Sequence, residues 1–231
     1  MKGSVSTPTD QLTDTDQLTN TDQLTNTDQL TDTDQMIEEK LNEFKMKITK
    51  ENISKALEIA KWINKQLELD KRSSELNEKK QKHPEKHHPI QPERGEIWLA
   101  ELGTNVGVEL NFLHPVLIIQ GNEGNIFSPE IIVLPLTGVE NKKKYNFIPK
   151  IHHKIKPEHV EGKLHKVSVV KISSVRTLDK SRLVKRIGKL KDEVKDEIME
   201  KIMGKLCRIL GICTQGLDKS QQIMVKSKQQ Q

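Results

Sequence analysis

Between residues 94 and 178 the chain is a succession of short apolar runs, each bounded by Gly, Pro or Asn. Runs of this kind are typical of short strands. A helix is predicted at about 180–186 and another at about 191–210, the latter from its apolar stripe. Short strands followed by a terminal helix predict a small, curved, mostly antiparallel β-barrel. The five predicted strands are GEIWLAEL (95–102), PVLIIQ (115–120), EIIVLPLT (130–137), NFIPKI (146–151) and KVSVVKISSVRTL (166–178).

The chain begins with a hexapeptide repeat, TDQLTD or TDQLTN, that ends near Met36. A period of six turns successive leucines by about 240° around a helix, so they form no continuous stripe. Thr, Asp and Asn also favour local side-chain hydrogen bonds over helix or sheet. Residues 1–35 are therefore predicted to be a disordered, acidic tail.

Residues 36–76 follow a different pattern, because Ile37, Leu41, Phe44 and Ile48 are spaced as on one helical face. They predict an amphipathic helix or a helical hairpin, with a break at TKEN (49–52). Its apolar face needs a partner, which could be itself, a second copy, the downstream domain or another protein.

The segment that follows, residues 77–93, contains three prolines and a dense run of charges, which predict a linker. Its histidines, His83, His87 and His88, could mark a metal tract, but no rigid ligand set lies nearby and no metal is expected. The barrel domain is predicted over 94–213, and a flexible C-terminal tail over 214–231.

Charge and cysteine content narrow the class of protein. The net charge of +5 divides into −6 on residues 1–36 and +11 on the remainder, which suggests a polyanionic partner such as nucleic acid. Two cysteines make no disulfide framework and suit a reducing compartment. The chain has no apolar run long enough for a membrane span and no apolar signal segment at its start. We expect a cytoplasmic location and no membrane contact.

Four ordered blocks carry a resemblance to a known family: RGEIWLAEL (94–102), NVGVELNFLHPVLIIQGNEGNIFSP (105–129), IIVLPLTG (131–138) and VSVVKISSVRTLDKSRL (167–183). Over residues 94–212 the chain resembles the MazF/PemK toxin endoribonucleases of bacterial type II toxin–antitoxin systems. The resemblance does not extend to residues 1–90.

The resemblance implies an SH3-like barrel with a C-terminal helix, acting as a homodimer on single-stranded RNA, with no cofactor. Cleavage would need no metal, because the ribose 2′-OH attacks the adjacent phosphorus and leaves a 2′,3′-cyclic phosphate. A cognate antitoxin protein would block the groove, and DNA binding is expected only in a complex with that antitoxin. The family places catalytic side chains at the positions of His114 and Thr137.

Thr137 matches the family pattern, whereas His114 stands where an Arg is usual. Arg clamps a phosphate with a permanent charge, whereas His can transfer protons. Val108, Asn122 and Ser173 also depart from the pattern and indicate an altered base preference. Arg176 and Asp179 are predicted to brace the turn after their strand, with Asp179 as a cap. The residues predicted to bind RNA are Arg94, Glu109, Gln120, Asn122, Lys142, Lys143 and Lys144.

Three alternatives stay open from the sequence. His114 could be a half-buried structural residue. The barrel could be a weak or inactive module that binds nucleic acid or protein. The helices of residues 36–82 could act in cis as an antitoxin-like cover, or as an oligomerisation arm.

Overall fold

The computed structural model describes residues 16–139 and 149–212, with side chains described from residue 31 onward. The chain divides into two compact units between Leu57 and Glu58. The first unit contains helix α1 (Asp16–Met46) and the first turn of helix α2 (Ile53–Lys82). The second unit contains the rest of α2 and every strand that the structure describes.

Helix α1 includes much of the hexapeptide repeat, so the prediction of a disordered tail over residues 1–35 is wrong from residue 16 onward. Residues 1–15 lie outside the described part. Extending a helix is far easier than starting one, so the amphipathic residues 36–46 can seed a helix that grows toward the N-terminus. The Leu and Gln residues of the repeat are favourable helix formers and permit that growth.

The predicted break at TKEN separates α1 from α2, and Asn52 organises it. Its Nδ2 donates to the carbonyl oxygen of Lys47 over 2.8 Å, and its Oδ1 accepts from the backbone N–H of Thr49 over 2.8 Å. Its own carbonyl accepts from the N–H of Ala56 in the first turn of α2. Asn52 therefore stabilises both the turn after α1 and the beginning of α2. The predicted break is confirmed.

The linker predicted over 77–93 is shorter than expected, because α2 continues to Lys82. Its Glu and Lys residues favour helix, and the helix ends just before the first proline, Pro84. The following residues are not all solvated, because His88 is 2% exposed. Its backbone N–H donates to the carbonyl oxygen of Ile126, and burial lowers its imidazole pKa.

The elements after α2 are β1 (Glu96–Glu101), β2 (Leu113–Ile118), α3 (Asn122–Phe127), β3 (Glu130–Gly138), β4 (His153–Ile155), β5 (Val160–Gly162), β6 (Ser168–Val170), β7 (Arg176–Asp179), β8 (Leu183–Leu190) and α4 (Asp192–Ile209). All strand pairs in the described residues are antiparallel, and they form one sheet in the order β4-β6-β3-β2-β1-β8-β5, with β7 beside β3. The first half of β3 pairs with β7 and the second half with β6, so the sheet curls around β3. The predicted curved antiparallel sheet with a C-terminal helix is confirmed.

The helix predicted at about 180–186 is wrong. Lys180–Arg182 form a short 3₁₀ turn, and β8 follows it immediately. The reason is tertiary, because β8 lies between β1 and β5 and pairs with both, which outweighs local preference. The strand predicted over 166–178 is divided into β6 and β7 by a turn at Ile172–Ser174.

The strand predicted over 146–151 is also displaced. Residues 146–148 lie outside the described part, and the described strand in this region is β4, which starts at His153. The helix predicted at about 191–210 is confirmed as α4. The boundary predicted at residue 213 and the tail predicted over 214–231 lie outside the described residues.

Two apolar cores lie on the two faces of the sheet. Alternate residues of β2 belong to different cores, with Leu117 in one, and Val116 and Ile118 in the other. The core around Leu117 includes Ile198 and Ile202 of α4 and is covered by that helix. The core around Val116 and Ile118 continues into the region that carries the predicted catalytic residues.

Candidate active site

His114 and Thr137, the two predicted catalytic residues, lie on neighbouring strands. His114 is on β2 opposite Ala100 of β1, and Thr137 is on β3 opposite Val169 of β6. Val116 of β2 pairs with Pro135 of β3, which is the last pair between these strands, and His114 and Thr137 each lie two residues beyond it. The structure therefore places the predicted pair at the same end of β2 and β3.

His114 is half-buried, and its Nδ1 is buried without a hydrogen-bond partner in the described part of the chain. Nδ1 of His152 and Oδ1 of Asn125, which lie outside this region, are buried in the same way. Thr137, in contrast, is exposed and offers its hydroxyl to solvent or substrate. The pair combines a half-buried imidazole with an accessible hydroxyl.

A pocket of about 300 Å³ opens near this end of the sheet, and neither His114 nor Thr137 is among its described lining residues. Pro135, two residues before Thr137, forms part of its wall, and Arg176 of β7 forms another part. Arg176 pairs with Val133 across the sheet, so Arg176, Pro135 and His114 all project from the same face. The described residues that line the pocket are Glu109, Leu110, Pro135, Ser173, Ser174, Val175 and Arg176.

The charges in this pocket are few and distinct. Among its described lining residues, Arg176 has the one permanent positive charge, and Glu109 the one carboxylate. Ser173 and Ser174 add hydroxyls, and Leu110 and Val175 add apolar surface. Such a mixture suits a ligand with a flat apolar body, polar edges and a negative charge.

The loop between β1 and β2, residues 102–112, forms one wall of the pocket through Glu109 and Leu110. Asn105 holds this loop closed, since its Nδ2 donates to the carbonyl oxygens of Leu102 and Leu110 over 3.1 and 2.7 Å. Its backbone N–H donates to Oδ1 of Asn111 over 2.5 Å. The loop is therefore shaped by its own amide side chains.

Phe112 closes the loop in an unusual conformation, with φ at 62°. Its N–H donates to the carbonyl oxygen of Gly103 over 2.7 Å, and its own carbonyl accepts from Leu102 over 2.9 Å. A bulky residue with positive φ is strained, and such strain is concentrated at functional sites. Phe112 precedes His114 by two residues and sets the start of β2.

Three of the predicted RNA-binding residues, Arg94, Gln120 and Asn122, lie near the other end of β2, about 20 Å along the strand from His114. Each of them takes part in a hydrogen bond with the protein backbone. The Arg94 guanidinium donates to the Ile119 carbonyl oxygen, and Oδ1 of Asn122 accepts from the Arg94 N–H over 2.7 Å. Gln120 bonds the backbone of Glu130 and Ile132 in β3. The structure does not bring these three residues to the pocket.

Glu109 is the one member of the predicted RNA-binding set that the structure brings to the pocket wall. Lys142, Lys143 and Lys144 lie outside the described residues, and their predicted role is untested. Val108, beside Glu109, is fully exposed at the tip of the loop. Ser173, noted above for its departure from the family pattern, lines the pocket.

Asp179 caps the turn after β7 as predicted, because its Oδ1 accepts from the N–H of Ser181 over 2.7 Å. Arg176 was predicted to brace the same turn but instead lines the pocket, a placement decided by the register between β7 and β3. Lys180 was missed altogether. Its side chain is fully buried, its Nζ donates to the Asn125 carbonyl oxygen, and burial lowers its pKa to about 8.

Comparison with known proteins connects this geometry to a family. The family of PemK-like, MazF-like toxins of type II toxin–antitoxin systems matches residues 93–206. The endoribonuclease MazF of Staphylococcus saprophyticus is 39% identical over 105 residues, which cover 43% of this chain and 78% of that protein. This chain belongs to the MazF/PemK-like toxin family. The family predicted from the four sequence blocks is therefore confirmed, and the match begins at residue 93, after α2.

Solved structures of MazF-like proteins also resemble the barrel. A mycobacterial endoribonuclease in complex with its cognate antitoxin is 21% identical, with a TM-score of 0.38, and the match covers 53% of this chain and 96% of that one. MazF from Deinococcus radiodurans is 19% identical, with a TM-score of 0.41, over 52% of this chain and 96% of that one.

The described residues contain neither a helix that could span a membrane nor a cluster of metal-ligand side chains. Neither α1, α2, α3 nor α4 has a stretch both long and apolar enough to cross a bilayer. Within residues 16–139 and 149–212, no three His, Cys, Asp or Glu side chains are grouped so that they could hold a metal ion.

Proposed function

We propose that this chain is the toxin component of a type II toxin–antitoxin system and cleaves single-stranded RNA. The observation that carries the proposal is that His114 and Thr137 lie at the same end of β2 and β3, on the face of the sheet from which Arg176 projects, in a chain that is 39% identical over 105 residues to an endoribonuclease.

The proposed reaction uses the nucleophile that RNA itself supplies. The ribose 2′-oxygen attacks the adjacent phosphorus and loses its proton, and the bond from phosphorus to the 5′-oxygen breaks. The products are a 2′,3′-cyclic phosphate and a 5′-hydroxyl, whose oxygen takes up a proton. The protein needs only to move two protons and to stabilise the extra negative charge at phosphorus.

His114 is the group we assign to proton transfer, since an imidazole can both accept and donate a proton. The Thr137 hydroxyl is assigned as a hydrogen-bond donor to a non-bridging phosphate oxygen. Neither group supplies a fixed positive charge, which the family normally obtains from an Arg at the position of His114. Arg176 projects from the same face and can provide that charge from β7 instead.

The pocket itself is proposed to hold one unstacked nucleobase next to the scissile phosphate. Leu110, Pro135 and Val175 offer apolar surface to the base plane, and Ser173 and Glu109 offer polar groups to its edge. Single-stranded RNA is read in this way, by side chains that contact splayed bases. We therefore expect Ser173 and Glu109 to influence which sequence is cut.

Several further properties are part of the proposal. They are a homodimer in a cytoplasmic setting, a cognate antitoxin protein as inhibitor, and DNA binding only in complex with that antitoxin. Cleavage is proposed to need no metal ion. Arg94, Gln120, Asn122 and Lys142 to Lys144 are proposed as secondary contacts to RNA outside the pocket.

The deciding experiment incubates the full chain with a mixed-sequence, single-stranded RNA in the presence of EDTA, and maps the ends of any products. We expect fragments with 2′,3′-cyclic phosphate and 5′-hydroxyl ends, which disappear with His114→Ala. A folded protein that binds RNA but never cleaves it would favour the alternative of a non-catalytic binding module.

A further inference from the structure

Helix α2 lies outside the residues that match the toxin family, yet part of it packs directly on the barrel. Within the second unit, the Trp62 indole faces Gly103, at the start of the β1–β2 loop. A Cβ at Gly103 would lie 2.9 and 3.0 Å from two carbon atoms of the indole, so the loop approaches the ring more closely than a side chain would permit. Gly103 has a φ of +93°, which also favours glycine.

Trp62 has a second partner on the barrel. The Arg182 guanidinium lies 5.2 Å from the centroid of the indole, within the range of a cation–π contact. Arg182 also donates from Nη1 to the carbonyl oxygen of Glu101, the last residue of β1, over 3.3 Å. The indole is therefore held between the end of β1, the start of the loop and the turn before β8.

Hydrogen bonds of Gly103 and of the two residues after it connect the region around the indole to the pocket. Thr104, next to Gly103, donates from Oγ1 to the Glu58 carbonyl oxygen of α2 over 3.5 Å. Asn105 follows and bonds the carbonyl oxygen of Leu110, which lines the pocket. Gly103 itself accepts from the N–H of Phe112, two residues before His114.

We infer that Trp62 is a positioning residue for the active site, acting through the β1–β2 loop. It sets the place of Gly103, and thereby of the pocket wall at Leu110 and of the β2 start that carries His114. This role rests on the proposed function for its effect on RNA, but the effect on the loop does not depend on catalysis. The family match starts at residue 93, so α2 supplies a support from outside the matched barrel.

The test compares Trp62→Ala, Trp62→Leu and Trp62→Phe with Ser73→Ala in the full chain. Ser73 also joins α2 to the barrel, but its hydrogen bond goes to Asp179 of β7 and not to the β1–β2 loop. The first readout is amide hydrogen exchange at Leu102, Asn105 and Phe112, whose N–H groups close the loop. The second readout is kcat and KM for RNA.

With Trp62→Ala we expect the three loop amides to exchange at least about 10-fold faster, because the loop opens locally without global unfolding. KM for RNA should rise by about 10-fold, since a displaced wall weakens positioning. Trp62→Phe should keep loop exchange and KM close to their wild-type values. Ser73→Ala should leave loop exchange unchanged. Trp62→Leu retains an apolar side chain and replaces the Ala variant in the test if that variant does not fold.

A folded Trp62→Ala or Trp62→Leu variant with wild-type loop exchange would overturn the inference. Equal acceleration of the loop amides by Ser73→Ala would do the same, because it would show general loosening of α2. If the wild-type chain cleaves no RNA but Trp62 variants still release the loop, the proposed function fails and the positioning role stands.

Discussion

The Ser73 hydroxyl on α2 donates a 2.8 Å hydrogen bond to Oδ2 of Asp179, in the RTLD strand of the barrel. A helix that precedes the family match is thereby joined to one of the motifs that identify the family. Asp179 also accepts from the N–H of Ser181 over 2.7 Å. Burial acts to raise the pKa of Asp179, but these hydrogen bonds hold it below the ordinary value of 3.8.

We expect Ser73→Ala to lower the free energy of unfolding by about 1 kcal/mol at pH 7, the usual effect of losing one such hydrogen bond. Because the folded-state pKa of Asp179 is depressed, its contribution is present above pH 3.8 and is lost as pH falls through the folded value. The difference in free energy of unfolding between wild type and variant should therefore be smaller in acid. Urea unfolding at pH 7 and pH 3 measures this difference, and equal values at the two pH values would contradict a hydrogen bond to the ionised carboxylate.

His114→Ala should reduce kcat for RNA cleavage by about 10²–10⁴-fold, the usual contribution of a positioned acid or base. His114→Arg, which introduces the residue usual in the family, separates charge from proton transfer. If His114 acts through its proton, the Arg variant stays slow while its RNA affinity is retained or increased. Full activity in the Arg variant would show that a positive charge alone is sufficient.

Arg176→Gln should weaken RNA binding and reduce the slope of log affinity against log salt by about 0.7, as expected for one lost phosphate contact on a single strand. Lys185→Gln removes the same charge from an exposed position on β8 and is the matched control. Affinity titrations over a range of salt concentrations measure both. Equal slopes for the two variants would place the phosphate away from Arg176.

Gly103→Ala should cost about 2–4 kcal/mol of stability, because the new methyl group meets Trp62 and the backbone has positive φ. In a Trp62→Ala background the clash is absent, so the same change should cost only about 1–2 kcal/mol, from the backbone alone. A double-mutant cycle by urea unfolding gives the coupling energy. Additive costs would show that the two residues do not constrain each other.

Acid should destabilise the barrel partly through His153 of β4. Its pKa is lowered to about 4, first by burial and then by the charges of Lys205 and Lys201. The unfolded chain takes up the proton near pH 6.5 and the folded chain only near 4, so stability is lost as pH falls between these values. His153→Asn should lessen this loss between pH 7 and pH 4.5 in urea unfolding. The control is His165→Asn, at an exposed site, which should follow wild type.

The first three strands and the C-terminal helix of the barrel could be predicted from the sequence. Short apolar runs bounded by Gly, Pro or Asn are local features of residues 95–102, 115–120 and 130–137, so β1, β2 and β3 could be predicted within a residue or two. The spacing of apolar residues in α4 is local in the same sense. His114 and Thr137 were predicted because the resemblance to the MazF/PemK family places catalytic side chains at their positions.

Pairing across the sheet, in contrast, was decided only in three dimensions. β8 forms a strand because β1 and β5 flank it, and no pattern within residues 180–186 reports those neighbours. Arg176 reaches the pocket because β7 pairs with the first half of β3. Arg94 precedes β1 and His114 lies near the start of β2, and because β1 and β2 run in opposite directions, these two positions are far apart. The contact of Trp62 with Gly103 joins residues 41 positions apart, and only packing, which responds to shape rather than to sequence order, could bring them together.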